Sequence, residues 1–228
     1  MSDASRTPPP GTPSIDRPRA AIRFGGIVLA GGRSARMGRP KAWLPVGDRT
    51  MLETVVAAIA AGLGFHATPI VVVGAPGQEL PAVGVPTLRI DDDIEGEGPL
   101  RGMAGGLAAL QGKADAAFVS SCDVPLLKPA FVARMLALLG DHDIAVPVAD
   151  GLHHPLAAVY RIEVLVTVRE LLASSRRRPF FLFEQRRTRF VSAADLEAAD
   201  PGLDSLKNVN TPEEYERLVR SLGTSRGS

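Results

Sequence analysis

The chain has 228 residues, 45% of them hydrophobic and 22% charged, which excludes a disordered polymer and suits one α/β domain or two small ones with a buried core. A single cysteine excludes an internal disulfide framework and a multi-cysteine zinc site, and no apolar run approaches the roughly 20 residues that span a bilayer. Residues 1–20 hold three Arg and two Asp, which leaves 23 cations and 23 anions in the remainder and no basic excess of the kind nucleic acid requires.

The first 20 residues, with Pro8, Pro9, Pro10, Pro13 and Pro18 among Ser, Thr and Arg, cannot bury enough surface to order themselves. They lack the apolar stretch of a signal peptide, so they read as a disordered leader ahead of one domain at 21–228, in a soluble, cytoplasmic protein. Phe24–Ala30 is short, apolar and closed by Gly31 and Gly32, the pattern of a buried strand. Thr50 and Glu53 form a T-x-x-E capping box that opens a helix to about Leu63. Strands follow at Pro69–Val73 and Pro86–Ile90, a helix at Leu100–Leu110, and a strand at Asp115–Ser120. The remainder reads as a helix over Pro129–Leu139, strands at Ile144–Val148 and His154–Tyr160, and a helix over Arg161–Ala173. Near the end, Thr211 supplies an N-cap, Pro212 the first helical position and Glu214 the third, opening a helix through about Leu222. Aromatics are only 5% of the chain, so the core is built from Ala, Val, Leu and Ile. Strands of that kind alternating with helices predict a mostly parallel sheet covered on both faces. Ligands then bind at the carboxyl ends of the strands.

Three segments that follow strands carry the chemistry. The first is Gly31-Gly32-Arg33-Ser34-Ala35-Arg36-Met37-Gly38-Arg39-Pro40-Lys41, in which glycines expose backbone N–H groups and four cations stand without an acid. Such a loop suits a polyphosphate, although a solvated basic turn has the same composition. Neither the dinucleotide fingerprint G-x-G-x-x-G nor the P-loop G-x-x-x-x-G-K-[ST] is present. In the second, Ser121-Cys122-Asp123-Val124-Pro125, Asp123 is a carboxylate at the end of an apolar strand. It needs a cation, such as Mg²⁺ shared with nucleotide phosphates, or it caps the turn that follows. Cys122 beside it reads as a small buried hydrophobe.

The third segment is acidic, Asp91-Asp92-Asp93-Ile94-Glu95-Gly96-Glu97. It is either a solvated loop or the source of one carboxylate that accepts the paired N–H donors of a guanine edge. Gly98-Pro99-Leu100-Arg101-Gly102 then opens a helix toward the ligand side, with Gly102 serving close approach or helix–sheet packing. Arg176, Arg177, Arg178, Arg186, Arg187 and Arg189 surround Pro179–Phe183. They are open to two readings, a phosphate- or acid-binding patch and a solvated segment whose Phe residues pack inward. His66 and His142 read as surface turn residues, His153 and His154 as rim residues without an assigned role, and Trp43 as packing.

The motifs L-A-G-G-x-S-x-R-M-G-x-x-K, G-P-L-x-G, C-D-V-P-L and N-V-N-T-P-E-E occur in this order between about Gly25 and Leu218. Together they resemble the molybdenum cofactor guanylyltransferase family, within the sugar-phosphate nucleotidyltransferase-like superfamily. The resemblance implies a Rossmann-like three-layer α/β/α fold and transfer of GMP from GTP to molybdopterin. It implies that Leu29, Ala30, Gly31, Gly32 and Lys41 contact the nucleotide, with Arg36 and Lys41 on the phosphates. By the same resemblance Asp91 reads guanine and Asp123 binds Mg²⁺. Asn208 and Asn210, with Gly98, Pro99 and Gly102, would face the acceptor, and a molybdoenzyme or cofactor-pathway protein would be a partner. In that reaction an ionised acceptor phosphate attacks the α-phosphorus, so no general base is required, and positioning and electrostatics dominate. M-G-R-P-K also occurs in molybdopterin cytidylyltransferase-like proteins, which keeps CTP open beside GTP. An NTP with another phosphate acceptor and a non-catalytic nucleotide-binding adaptor are the remaining readings.

Overall fold

The computed structural model describes residues 21–31, 39–64, 69–92 and 98–224. The leader, His66, most of the basic loop (Gly32, Arg36 and their neighbours) and Asp93–Glu97 lie outside the described residues.

Strand β1 (Phe24–Leu29) is followed by a 3₁₀ turn at Lys41–Trp43 and a two-stranded hairpin, β2 (Pro45–Val46) with β3 (Arg49–Thr50). Helix α1 (Met51–Gly62) starts where expected, with the Thr50 hydroxyl accepting the Glu53 N–H. Next come β4 (Ile70–Gly74), β5 (Leu88–Asp91), α2 (Pro99–Leu110), β6 (Ala116–Ser121) and α3 (Pro129–Leu139). The chain continues through β7 (Ile144–Ala149), β8 (Leu152–His153), β9 (Ala157–Arg161), α4 (Leu165–Ala173), α5 (Phe180–Gln185), β10 (Thr188–Ser192), α6 (Ala193–Leu196) and α7 (Pro212–Thr224).

Two boundaries differ from the sequence expectation by three residues or more. The strand expected from His154 begins only at Ala157, because the His154 carbonyl accepts the Ala157 N–H in a turn around Pro155, which has no N–H of its own. The helix expected from Arg161 opens with a 3₁₀ turn at Ile162–Val164 before α4.

The main sheet has the order β10-β7-β9-β6-β1-β4-β5, with β8 paired to β7. Its β6-β1-β4-β5 half is parallel, while β9 runs antiparallel to both β6 and β7. Side chains alternate across the sheet as the pleat requires. Val28, Ile70, Val72 and Phe118 join the core under α1 and α3. Ile27, Val71, Val73 and Val119 join the core under α2 and α4 on the other face. This is a three-layer α/β/α arrangement with a mostly parallel sheet. A smaller cluster of Leu44, Val46, Met51, Val209 and Leu218 seats α7 against the β2–β3 hairpin, and the Tyr215 hydroxyl donates to the Pro45 carbonyl at 2.8 Å. That contact holds α7 on the β2–β3 hairpin.

Candidate functional site

The register places Leu29 of β1 opposite both Val73 of β4 and Ser121 of β6. The residues that follow these three strands therefore emerge side by side. The Ala30 and Gly31 amides both donate to the Val73 carbonyl, at 2.8 and 3.1 Å. A Cβ on Gly31 would lie 3.2 Å from the Gly74 carbonyl carbon and the Ala75 nitrogen, so the close approach of the β1 and β4 ends favours glycine there. Gln78 fastens the same junction. Its side-chain N–H₂ donates to the Ala30 carbonyl at 3.1 Å, and its side-chain oxygen accepts the Ala75 N–H at 2.8 Å.

At the end of β6, Asp123 is tied by both carboxylate oxygens. Oδ1 accepts the Ser121 hydroxyl at 2.6 Å and the Asn208 amide at 2.8 Å, and Oδ2 accepts Lys41 Nζ at 2.9 Å. Lys41 Nζ also donates to Asn210 Oδ1 at 2.8 Å. The Lys41 and Asp123 side chains are only 16% and 15% exposed, so this ion pair is screened far less than a surface pair. Asn210 is itself oriented: the Glu214 carboxylate accepts the Asn210 and Thr211 N–H groups at 2.6 and 3.1 Å, while the Thr211 hydroxyl accepts the Glu214 N–H at 3.3 Å. Those backbone donors hold the Glu214 carboxyl below its ordinary range, Asn210 first and Thr211 second. The predicted helix cap is thus also the device that aims Asn210. Through it, residues 82 and 169 positions from Lys41 converge on its ammonium.

Four of the residues singled out in the sequence (Lys41, Asp123, Asn208, Asn210) therefore meet in one network beside Leu29, Ala30 and Gly31. Ser121, Gln78 and Glu214 complete the support. Of these, Glu214 was visible as part of a capping box, whereas Ser121 and Gln78 gave no signal beyond their nearness to strand ends. Asp123 does not cap the following turn with its side chain; its carbonyl accepts the Val209 N–H at 2.8 Å, which pins the Asn208–Asn210 strip in place.

Other candidates lie elsewhere. Asp91 is the last residue of β5, and its carboxylate pairs with Arg89 at 3.2 Å. Asp91, Asp92, Arg101, Gly102 and Arg169 line a groove of about 420 Å³ between α2 and α4. Gly98, at φ +84°, caps α2, and Pro99 is its first residue. Gly102 is buried, and a Cβ there would sit 3.2 Å from Leu29 Cδ2, which assigns it to helix–sheet packing.

Cys122 is buried, and its thiol is pushed up to about 12, first by burial and then by the Asp123 charge, so it is no nucleophile. Arg186, Arg187 and Arg189 are tied to the body of the protein. Arg187 pairs with Asp141 at 2.6 Å, Arg186 lies 3.2 Å from Asp143, and Arg189 donates to the Leu138 carbonyl at 3.1 Å. Arg176 lies over the Phe181 ring at 4.6 Å. Trp43 is more exposed than a packing residue, and its indole N–H donates to the Glu79 carbonyl at 3.1 Å.

Among the described residues, no three His, Cys, Asp or Glu side chains converge as a metal cage. Asp123 offers one oriented carboxylate whose present cation is the Lys41 ammonium, an arrangement that fits a hard ion completing its shell with substrate oxygens. No helix among the described residues is long and apolar enough to cross a membrane.

The family model described as MobA-like NTP transferase domain matches residues 26–188. Among curated proteins, the "Probable molybdenum cofactor guanylyltransferase" of Mycobacterium ulcerans is 36% identical over 205 residues, covering 88% of this chain and 95% of that protein. Among solved structures, molybdopterin-guanine dinucleotide biosynthesis protein A from Archaeoglobus fulgidus superposes with a TM-score of 0.68 at 19% identity, covering 88% of this chain and 99% of that one. Rv0371c of Mycobacterium tuberculosis, solved in complex with manganese, superposes with a TM-score of 0.61 at 19% identity, covering 87% of this chain and 99% of that one.

Proposed function

The chain belongs to the MobA-like NTP transferase family, and from that premise we propose that it transfers GMP from GTP to molybdopterin with release of pyrophosphate. The observation that carries the reading is the convergence of Lys41, Asp123, Asn208 and Asn210 beside the glycine turn that ends β1.

A phosphate oxygen of molybdopterin attacks the α-phosphorus of GTP, the new P–O bond forms, and the bond to the β-phosphate oxygen breaks. The attacking phosphate is already ionised, so the residues are needed to hold and orient rather than to take a proton. Ala30 and Gly31 let the nucleotide approach the backbone closely. Lys41, with Arg36 of the same loop, holds the triphosphate and offsets the charge of the departing pyrophosphate. Asp123 is the residue that would hold Mg²⁺, which when bound neutralises phosphate charge. With a nucleotide bound, Lys41 would share its ammonium between Asp123 and the phosphates, and Asp123 would be the carboxylate available to a divalent ion. Asn208 and Asn210 present the acceptor to that centre. Asp91, at the end of β5, is assigned to the N–H donors of the guanine edge, where it exchanges Arg89 for the base.

The test is a panel of GTP, CTP, ATP and UTP with molybdopterin and Mg²⁺, read as pyrophosphate release. GTP is expected to be turned over fastest, and Asp123→Ala is expected to slow transfer by about 100-fold or more. Faster turnover with CTP refutes the guanylyl assignment. Undiminished transfer by Asp123→Ala refutes the role of that carboxylate.

A further inference from the structure

Antiparallel β9 brings a segment to the active edge that no parallel strand would place there. Its first residue, Ala157, pairs with Ser120 at the carboxyl end of β6, so the residues that precede β9 lie beside Asp123. Two adjacent histidines stand in that position, and both border one pocket. His153 is in β8, and its ring packs among Phe190, Phe183 and Phe180 with centroids 5.3, 5.6 and 5.8 Å away. His154, one residue on, is held by its backbone alone. Its N–H donates to the Pro147 carbonyl at 3.0 Å, and its carbonyl accepts the Ala157 N–H at 3.1 Å. Among the described residues its imidazole makes no hydrogen bond.

His154 lines that pocket, of about 230 Å³, with His153, Val124, Ser205, Leu206 and Asn208. The Asn208 amide is the donor that reaches Asp123, so this pocket and the reacting centre share a wall. Its volume is below the range of about 300–1,000 Å³ that accommodates a whole drug-sized ligand, so it takes one end of a substrate. Ser205 is engaged already, its hydroxyl accepting the Lys128 N–H at 3.0 Å. Burial lowers the affinity of His154 for its proton, against the pull of Asp150 and together with the repulsion of His153. A neutral imidazole has one donor and one acceptor nitrogen, which suits the mixed edge of a nitrogen heterocycle better than a phosphate.

We propose that His154 is a specificity residue for the acceptor: its imidazole hydrogen-bonds the heterocyclic end of molybdopterin in the pocket beside Asn208, with the acceptor phosphate at Asp123. This rests on the guanylyl-transfer reading above.

The experiment measures Michaelis constants for molybdopterin and for GTP separately in the wild type, His154→Ala and His154→Gln, with thermal midpoints alongside. His154→Ala is expected to raise the molybdopterin constant about tenfold, as loss of one hydrogen bond to substrate does, with the GTP constant and the midpoint unchanged. His154→Gln, which keeps a donor and an acceptor, is expected to recover most of that loss. A residue that only supports the fold would lower the midpoint and raise both constants together in either variant. That result, or an unchanged molybdopterin constant in both variants beside an active wild type, overturns the assignment alone. No wild-type turnover with molybdopterin overturns the reaction as well.

Discussion

Asp200→Ala removes a carboxylate whose side chain has no solvent exposure and which ties three segments together. Its oxygens accept Lys128 Nζ at 2.6 Å and the Ser205 N–H at 2.8 Å, and the Ser205 hydroxyl in turn accepts the Lys128 N–H at the start of α3. The substitution leaves the buried Ser205 N–H without its acceptor, a cost of about 1–3 kcal/mol. Lys128 loses less. Its side chain is 39% exposed and keeps Asp204 at 3.0 Å, so water and the second acid reduce its share to about 1 kcal/mol. The sum is about 3 kcal/mol, or a fall of about 6–12 °C in the thermal midpoint for a domain of this size.

Asp200→Asn keeps an acceptor for Ser205 and is expected to lose about half as much. The pH dependence adds a second reading. Burial works against the charged form of Asp200, but the Lys128 ammonium and the Ser205 donors outweigh it and leave the carboxyl below its ordinary value. The unfolded chain therefore binds more protons than the folded one in this window, and stability rises with pH. The contribution is complete above the ordinary carboxylate range and is lost as pH falls through the depressed folded value. The gap between wild type and Asp200→Ala should accordingly be widest near neutrality and shrink below about pH 4. Differential scanning calorimetry from pH 3 to 8 checks both points. A midpoint shift under about 2 °C at pH 7, or a gap that widens in acid, refutes the reasoning.

Two further outcomes follow from the packing. Cys122, buried and with its thiol pushed up to about 12, is expected to react with a disulfide reagent at pH 8 about 100-fold or more slowly in the folded protein than in denaturant; rapid labelling of the native protein contradicts this. Gly62→Ala would place a Cβ 2.5 Å from Val132 Cβ and 2.8 Å from the Pro129 carbonyl oxygen, where α1 meets α3. Overpacking of about 1–3 kcal/mol should outweigh the roughly 1 kcal/mol that alanine gains in a helix, and urea unfolding should show a lower midpoint, whereas a rise would mean that α3 moves aside easily.

Most of the architecture was legible because its signals are local. The Thr50 cap on the Glu53 N–H starts α1, Pro129 opens α3 as its first residue, and the apolar run at 116–119 is a strand buried on both faces. What escaped notice depends on distant partners. Strand β10 buries only Val191 along its length, and the arginines within and before it read as a charge run. Their partners, Asp141, Asp143 and the Leu138 carbonyl, lie more than 40 residues earlier, in the last turn of α3 and the segment that joins it to β7. Hydrophobic periodicity cannot signal a strand with one buried side chain, and a run of like charges does not reveal which charges are already spent. The cation for Asp123 escaped for the same reason. A lone carboxylate at a strand end correctly demanded a positive partner, but the ammonium that meets it belongs to a residue 82 positions away.

The site itself was half legible, and strand direction explains which half. In a parallel sheet every strand ends at the same edge, so the residues after β1, β5 and β6 converge there whatever the details of the loops. Lys41 and Asp123, which meet, could be found by reading forward from β1 and β6. An antiparallel strand reverses the rule: it begins at the active edge, and the residues that matter precede it. Strand β9 is antiparallel to β6, with Ala157 opposite Ser120, and His154 stands three residues before it. Nothing in the alternation of β9 marks its direction, since both of its faces are buried and its residues read alike forwards and backwards. The short β7–β8 hairpin supplies that direction. Asp150 and Gly151 both hold positive φ, as a tight two-residue reversal requires, and an aspartate followed by glycine is the sequence mark of such a turn. Read as a hairpin, Asp150-Gly151 turns the chain back beside β7, and the residues that follow come to the edge where β6 ends.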